Sequence, residues 1–186
     1  MTCIVGLEHD GGVIIGGDAA AIEDLRLTIR TDPKVFTNGD YLIGFCDSYR
    51  MGQLLQYRLN VPKQKADTTT FAHMATTFID AVRKTFHQGG YARTSDGEEV
   101  GGVFLCAYAG RLFCIDEDHH IGTSALGYEA IGCGADYALG SLYTTRTNPD
   151  ARARVQTALE AAALHSAGVC APFTILNQPT SSEEIW

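Results

Sequence analysis

Thr2, Asp18 and Lys34 stand at even intervals of sixteen residues. A threonine hydroxyl is a weak nucleophile and needs a base. If Met1 is removed, the α-amine of Thr2 lies beside its own Oγ and can take that proton, which is the threonine–amine form of nucleophilic catalysis. The small side chain of Thr2 permits methionine removal by ordinary processing. An unperturbed α-amine has a pKa of roughly 7.7–8.0. A nearby ammonium lowers it and leaves more of the amine neutral. This chemistry therefore asks for a lysine close to Thr2 and a carboxylate to hold that lysine. Asp18 closes the segment "IIGGDAAA", and Lys34 stands in "DPKVF" ahead of a hydrophobic hairpin.

Other residues carry weaker signals. "GCGADYA" (132–138) follows a strand and opens a helix, imitating a dinucleotide fingerprint. It comes late in the chain, and no acid-tipped strand follows at the right distance. Close helix–strand packing accounts for its glycines. "DEDHH" (116–120) has metal-ligating residue types, but at a hairpin end it reads as a solvated turn. Cys3 has a nucleophilic thiol, yet alternation along a strand turns it away from Thr2. His73, His87 and His165 lie in helical segments with no nucleophile at motif spacing, and are expected on helix surfaces.

The elements that must position these residues follow from periodicity. Residues 2–8 and 13–18 read as strands around an Asp-Gly turn, a strong hairpin signal. "LRLTIRT" (25–31) alternates apolar and polar and predicts a half-buried strand. Residues 33–38 and 41–47 form a second hairpin. Residues 48–59 have helical spacing, with Ser48 as N-cap. Residues 70–88 form a long amphipathic helix with Phe71, Met74, Phe78, Val82 and Phe86 near one face. A loop spans 89–102. Strands at 103–110 and 111–118 make a third hairpin, and one or two further strands lie within 121–132. Helices at 135–145 and 151–168 precede a last strand at 172–177. Strands, helix pair, strands, helix pair and strand make an α+β protein. Two antiparallel sheets between helix pairs, a four-layer αββα sandwich in one domain spanning 1–186, suit this order.

Composition bounds the function. Hydrophobic residues make up 45% and charged residues 19%, an ordinary globular balance. The net charge of −8, with 22 acids against 14 bases and no basic cluster, argues against nucleic acid as a partner. No signal peptide or apolar run of membrane-spanning length is evident. The six cysteines form no CxxC pair and read as reduced core thiols of a cytoplasmic protein.

The opening strand with Thr2, the "GD" after the first hairpin with Asp18, and the "KV" strand start with Lys34 together resemble the proteasome β-subunit and HslV family of N-terminal-nucleophile hydrolases. "YLIGFCDSYRMGQLL" is similar to that family's "IAGFAG" strand and first helix, and "AIGCGADYALGSL" to its "AIGSGGPYA" segment. The "ALEAAALHSAG" helix and "PFTIL" strand extend the likeness over nearly the whole chain. The smaller HslV-like and phage-type members look nearer than eukaryotic subunits. The resemblance implies amide hydrolysis, of peptides or proteins, by Thr2, with Lys34 tuning its amine and Asp18 fixing Lys34. It implies a backbone oxyanion donor around Asp47 or Ser48, and pocket residues including Ala21, Asp32, Phe36 and Cys46. It implies no metal or organic cofactor, a homo-oligomeric ring, and in some members an ATPase partner. The chain departs from the family pattern in three places. Asp47 and Ser48 replace small glycine-type residues. Cys133 replaces the serine of "GSG". In "HSAGVCAP" Ser166 is a partial substitute for a serine pair. The alternative these departures raise is a catalytically silent structural or assembly protein with the same fold.

Overall fold

The computed structural model describes residues 1–95 and 97–179. Residues 4–7 of β1 (Ile4–His9) and all of β2 (Gly12–Gly17) are apolar or glycine and buried, so these strands need cover on both faces. They pair antiparallel at the centre of a four-stranded sheet, flanked by β12 (Tyr128–Ile131) and β13 (Thr174–Pro179). A five-stranded sheet has the order β11 (Ile121–Gly122), β10 (Arg111–Ile115), β9 (Phe104–Tyr108), β6 (Tyr41–Phe45), β5 (Val35–Asn38).

Alternation along β1 divides its side chains between two layers. Cys3, Val5 and Leu7 pack under α4 (Ala135–Thr144) and α5 (Ala151–His165) with Leu142, Val155 and Leu159. Ile4 faces the other way, into a layer between the sheets with Ile15, Val35, Leu42 and Leu105. A Cβ on Gly44 would stand 2.6 Å from Ile4 and 2.9 Å from Ile15, so glycine there lets the two sheets approach. The outer face of the five-stranded sheet is covered by α1 (Tyr49–Tyr57), α2 (Thr70–His73), a π-helical stretch (Met74–Phe78) and α3 (Ile79–Gln88). The result is the four-layer αββα sandwich. Ser48 caps α1 as expected, accepting from the Arg50 N–H at 3.1 Å. Among the described residues, no helix is long and apolar enough to cross a membrane.

Four local expectations need correction. The alternating stretch 25–31 is not half-buried: β4 (Arg26–Ile29) is exposed throughout and pairs only with β3 (Ala20–Glu23), forming a separate ribbon. The 89–102 loop contains a small ribbon, β7 (Arg93–Ser95) with β8 (Glu98–Val100). Phe71, at the first turn of its helix, is 48% exposed, while Met74, Phe78, Val82 and Phe86 are in the core. His73 is not a surface residue but 1% exposed. Its Nε2 lies 2.7 Å from the Tyr41 hydroxyl, whose ring stacks between Phe78 and Tyr108 at centroid separations of 5.0 and 4.2 Å. A helical-face argument places His73 by its own element and misses the tyrosine supplied by a strand.

Burial lowers the pKa of His73 below that of a free imidazole, and likewise that of His119. The unfolded chain therefore binds more protons than the folded one just below the free-imidazole value of about 6.5. Stability is held above that pH and is lost as pH falls through the folded values. Unfolding midpoints measured from pH 7.5 down to 5 should decline, and His73→Gln should flatten part of that slope.

Candidate active site

Thr2 precedes β1, Asp18 follows β2 and Lys34 precedes β5, so the site forms where three strand ends meet. The Lys34 Nζ donates to Thr2 Oγ1 at 2.8 Å and to Asp18 Oδ1 at 2.9 Å. All three residues are 2–3% exposed. Asp18 has further donors: the N–H groups of Cys3 at 3.0 Å, Ala20 at 2.9 Å and Cys170 at 3.4 Å. A buried carboxylate so surrounded, with an ammonium in contact, keeps its charge compensated.

Cys133 and Ser166 extend the cluster to the nitrogen of Thr2. The Thr2 N–H donates to Cys133 Sγ at 3.3 Å, and the Ser166 Oγ donates to the same sulfur at 3.4 Å. Ser166 sits at the C-cap of α5, and Cys133 stands just before α4. Between β12 and Cys133, Gly132 adopts φ +92°, and a Cβ there would fall 2.3 Å from the Thr2 carbonyl oxygen. Gly134 is similarly tight, 2.8 Å from Cys3 Cβ. The glycines of "GCGADYA" thus serve close packing around Thr2. The Thr2 hydroxyl also donates to the Met1 carbonyl, and with Met1 attached its nitrogen is an amide.

A cavity of about 390 Å³ opens beside Thr2, lined by Met1, Lys34, Phe45, Cys46, Asp47 and Tyr49 on one side and by the β3–β4 ribbon on the other. Ala21 and Cys46 are among its lining residues. Asp32 and Phe36 are not. Phe36 turns toward the helices and packs in their core near Phe45, on the face of β5 opposite to Val35, which enters the layer between the sheets. Asp32 is an exposed partner of Arg30, bound through both oxygens at 2.8 and 2.9 Å, which holds its carboxyl pKa below the ordinary value. Asp47 lines the cavity, whereas Ser48 faces a separate depression that Asp47 also borders. Among the described residues the N–H groups of Asp47 and Ser48 donate to no backbone carbonyl.

Ile22, Glu23, Arg26, Thr28, Arg30 and Tyr49 also line this cavity, and no motif in the sequence marks them. The alternation in "LRLTIRT" was the available signal, with the faces exchanged: Arg26, Thr28 and Arg30 line the cavity while Leu25, Leu27 and Ile29 are exposed. The cysteines are not all core thiols either: Cys133 is exposed and Cys46, Cys114 and Cys170 are half-buried, since each lies near a strand or helix end. Cys3 is buried as expected, and burial, reinforced by Asp18, pushes its thiol up to about 12. It stays protonated at neutral pH and is a poor nucleophile. The "DEDHH" segment forms the β10–β11 turn, with His120 Nδ1 3.2 Å from Asp116 Oδ2. No group of three or more possible metal ligands gathers among the described residues.

The same architecture occurs in solved structures. The BPH protein of Thiobacillus denitrificans superposes with a TM-score of 0.81 at 17% identity, over 97% of this chain and 100% of that one. The chain has the proteasome-type N-terminal-nucleophile hydrolase fold. BPH in complex with epoxomicin gives 0.79 at 18% identity, over 96% of this chain and 99% of that one. Eukaryotic HslV from Trypanosoma brucei gives 0.65 at 18% identity, over 94% and 97%. No protein-family model and no curated protein matches the sequence.

Breaking one half of a buried ion pair leaves the other half uncompensated. Asp18→Ala strands the Lys34 ammonium and three backbone N–H groups, and should cost about 3–5 kcal/mol of stability by denaturant unfolding. Lys34→Met, which leaves Asp18 its backbone donors, should cost less.

Proposed function

We propose that this chain is a threonine-type N-terminal-nucleophile amide hydrolase acting on peptides, with Thr2 as nucleophile once Met1 has been cleaved away. The observation that carries this reading is the Lys34 ammonium, buried in contact with both Thr2 Oγ1 at 2.8 Å and Asp18 at 2.9 Å. An ordinary surface lysine has no reason to accept that burial.

In the proposed reaction the freed Thr2 amine takes the Oγ proton as Oγ attacks the substrate carbonyl. The tetrahedral oxyanion is met by a backbone N–H in the Asp47–Ser48 segment. The protonated amine then gives its proton to the leaving nitrogen, and the amide bond breaks to leave an ester on Thr2. Water, deprotonated by the same amine, cleaves that ester and restores the hydroxyl. The Lys34 charge beside the site disfavours protonation of the amine and stabilises charge developing on Oγ. Asp18 keeps the lysine charged and fixed. Cys133, which already accepts from the Thr2 nitrogen, orients the amine, and Ser166 holds the Cys133 sulfur.

By resemblance to HslV and the proteasome β-subunits, the proposal includes a homo-oligomeric ring and a cytoplasmic setting. A regulatory ATPase partner rests on that resemblance alone. The second reading, a catalytically silent structural protein of the same fold, is favoured by the carboxylate of Asp47 in the cavity and by any form in which Met1 stays attached.

Intact mass and peptide hydrolysis measured on the same preparation decide between them. The enzyme reading expects a product lighter by one methionine that cleaves unstructured peptides. It expects Thr2→Ala to lower kcat/KM by about 10³-fold or more, as loss of a nucleophile does. Hydrolysis that persists undiminished in Thr2→Ala, or with Met1 fully retained, excludes it. The Met1-free chain is also expected to bind epoxomicin, as the similar BPH does, with binding lost in Thr2→Ala.

A further inference from the structure

The charged residues that line the Thr2 cavity are Glu23, Arg26, Arg30, Lys34 and Asp47. Four of them have a counter-charge. Lys34 is paired with Asp18 and Arg30 with Asp32. Glu23 and Arg26 stand directly opposite each other in the β3–β4 ladder. Asp47 is the exception: no lysine, arginine or histidine among the described residues comes within ion-pair distance of it.

Its carboxylate is nevertheless held in one direction. Oδ2 accepts the Val103 N–H at 2.6 Å, which anchors it to the chain entering β9. Oδ1 meets only the Cys46 thiol, at 3.6 Å, and keeps acceptor capacity on the open side. Cys46 in turn packs beside the nucleophile: the Cβ position of Gly132 that abuts the Thr2 carbonyl is 3.4 Å from Cys46 Cβ. A fixed carboxylate with no ion-pair partner among the described residues thus sits one residue from a side chain at the reaction centre; Arg93 borders the adjoining depression with it but is not within ion-pair distance. An anion so placed repels acidic ligand groups and attracts cationic ones.

We propose that Asp47 is a specificity-determining residue that selects substrates carrying an ammonium or guanidinium group beside the scissile amide. The proposal rests on the peptide-hydrolase reading of the site for its reaction, and not for its binding preference. Two sources supply such a group: a lysine or arginine side chain, or the free α-amine of a peptide's first residue.

The test uses the Met1-free chain with fluorogenic peptide amides bearing lysine, arginine, norleucine or glutamate before the scissile bond, each N-acetylated or with a free amine. The basic member should exceed norleucine by about fivefold in kcat/KM at low salt, as a single half-exposed charge pair provides, and the advantage should shrink as salt is raised. An advantage present in the acetylated series assigns the side chain as the source. A gain of the free-amine over the acetylated peptide that is equal for norleucine and lysine, and lost in Asp47→Asn, assigns the α-amine. Asp47→Asn keeps an acceptor for the Val103 N–H and should bring the basic-to-norleucine ratio to about one, with an unfolding midpoint close to that of the parent. An advantage of either kind that is unchanged in Asp47→Asn, or a preference for glutamate, overturns the proposal. The same peptides titrated against Thr2→Ala by fluorescence anisotropy give a readout independent of turnover. Tighter binding of the basic peptide, lost on adding Asp47→Asn, supports the proposal even where no hydrolysis is found and the Thr2 reading has failed. Binding that is equal for basic and neutral peptides and also equal for free-amine and acetylated peptides overturns it.

Discussion

The Asp18 carboxylate is the point on which the site and much of the surrounding chain depend. It receives hydrogen bonds from Cys3 before β1, Ala20 at the start of β3, Cys170 ahead of β13, and the Lys34 side chain before β5. Each donor comes from a different segment, so one buried charge fixes four chain ends relative to one another. Moving two ions out of water costs several kcal/mol apiece unless their lone pairs and protons are satisfied. Here the carboxylate is satisfied on both oxygens, and the ammonium spends its second contact on Thr2 Oγ1. Geometry that compensates the burial of the pair is thus the same geometry that aims the lysine at the hydroxyl.

The remaining architecture supplies the dryness this pair needs. β1 is sandwiched, with Ile4 in the layer between the sheets and Cys3 and Val5 under α4 and α5. Strand ends from both sheets converge at Thr2, and the tight glycine at 132 closes the third side. The β3–β4 ribbon stands outside the layers, as the β7–β8 ribbon does, and it forms the far wall of the cavity.

Much of this was legible in the sequence because it depends on local pattern. The hairpin announced by Asp-Gly, the Ser48 cap and the apolar face of 70–88 follow from turn chemistry and periodicity. Together with the order of elements they identify the layers. What sequence could not supply is which face a pattern presents to what. The alternation of "LRLTIRT" is real, but an isolated ribbon has no core for its apolar face, so Leu25, Leu27 and Ile29 are exposed. His73 and Phe36 were misplaced for a related reason. Their surroundings come from Tyr41 in one case and from the helix layer in the other, both distant in the chain. For the site, the resemblance carried by the segments around Thr2, Asp18 and Lys34 was what brought the three together, and all three lie at strand ends. The cavity walls did not follow, since they depend on how a ribbon leaves the body.

Three of the four donors to Asp18 are main-chain N–H groups, and a main-chain donor is indifferent to the side chain it carries. Cys3, Ala20 and Cys170 can therefore drift through evolution without disturbing the carboxylate, so long as the backbone path is kept. Selection on such a site falls on a handful of isolated positions rather than on contiguous words. A chain can then share only 17–18% of its residues with BPH or HslV while its fold still superposes over nearly its whole length. The architecture is carried by where a few strand-end residues stand rather than by stretches of shared text.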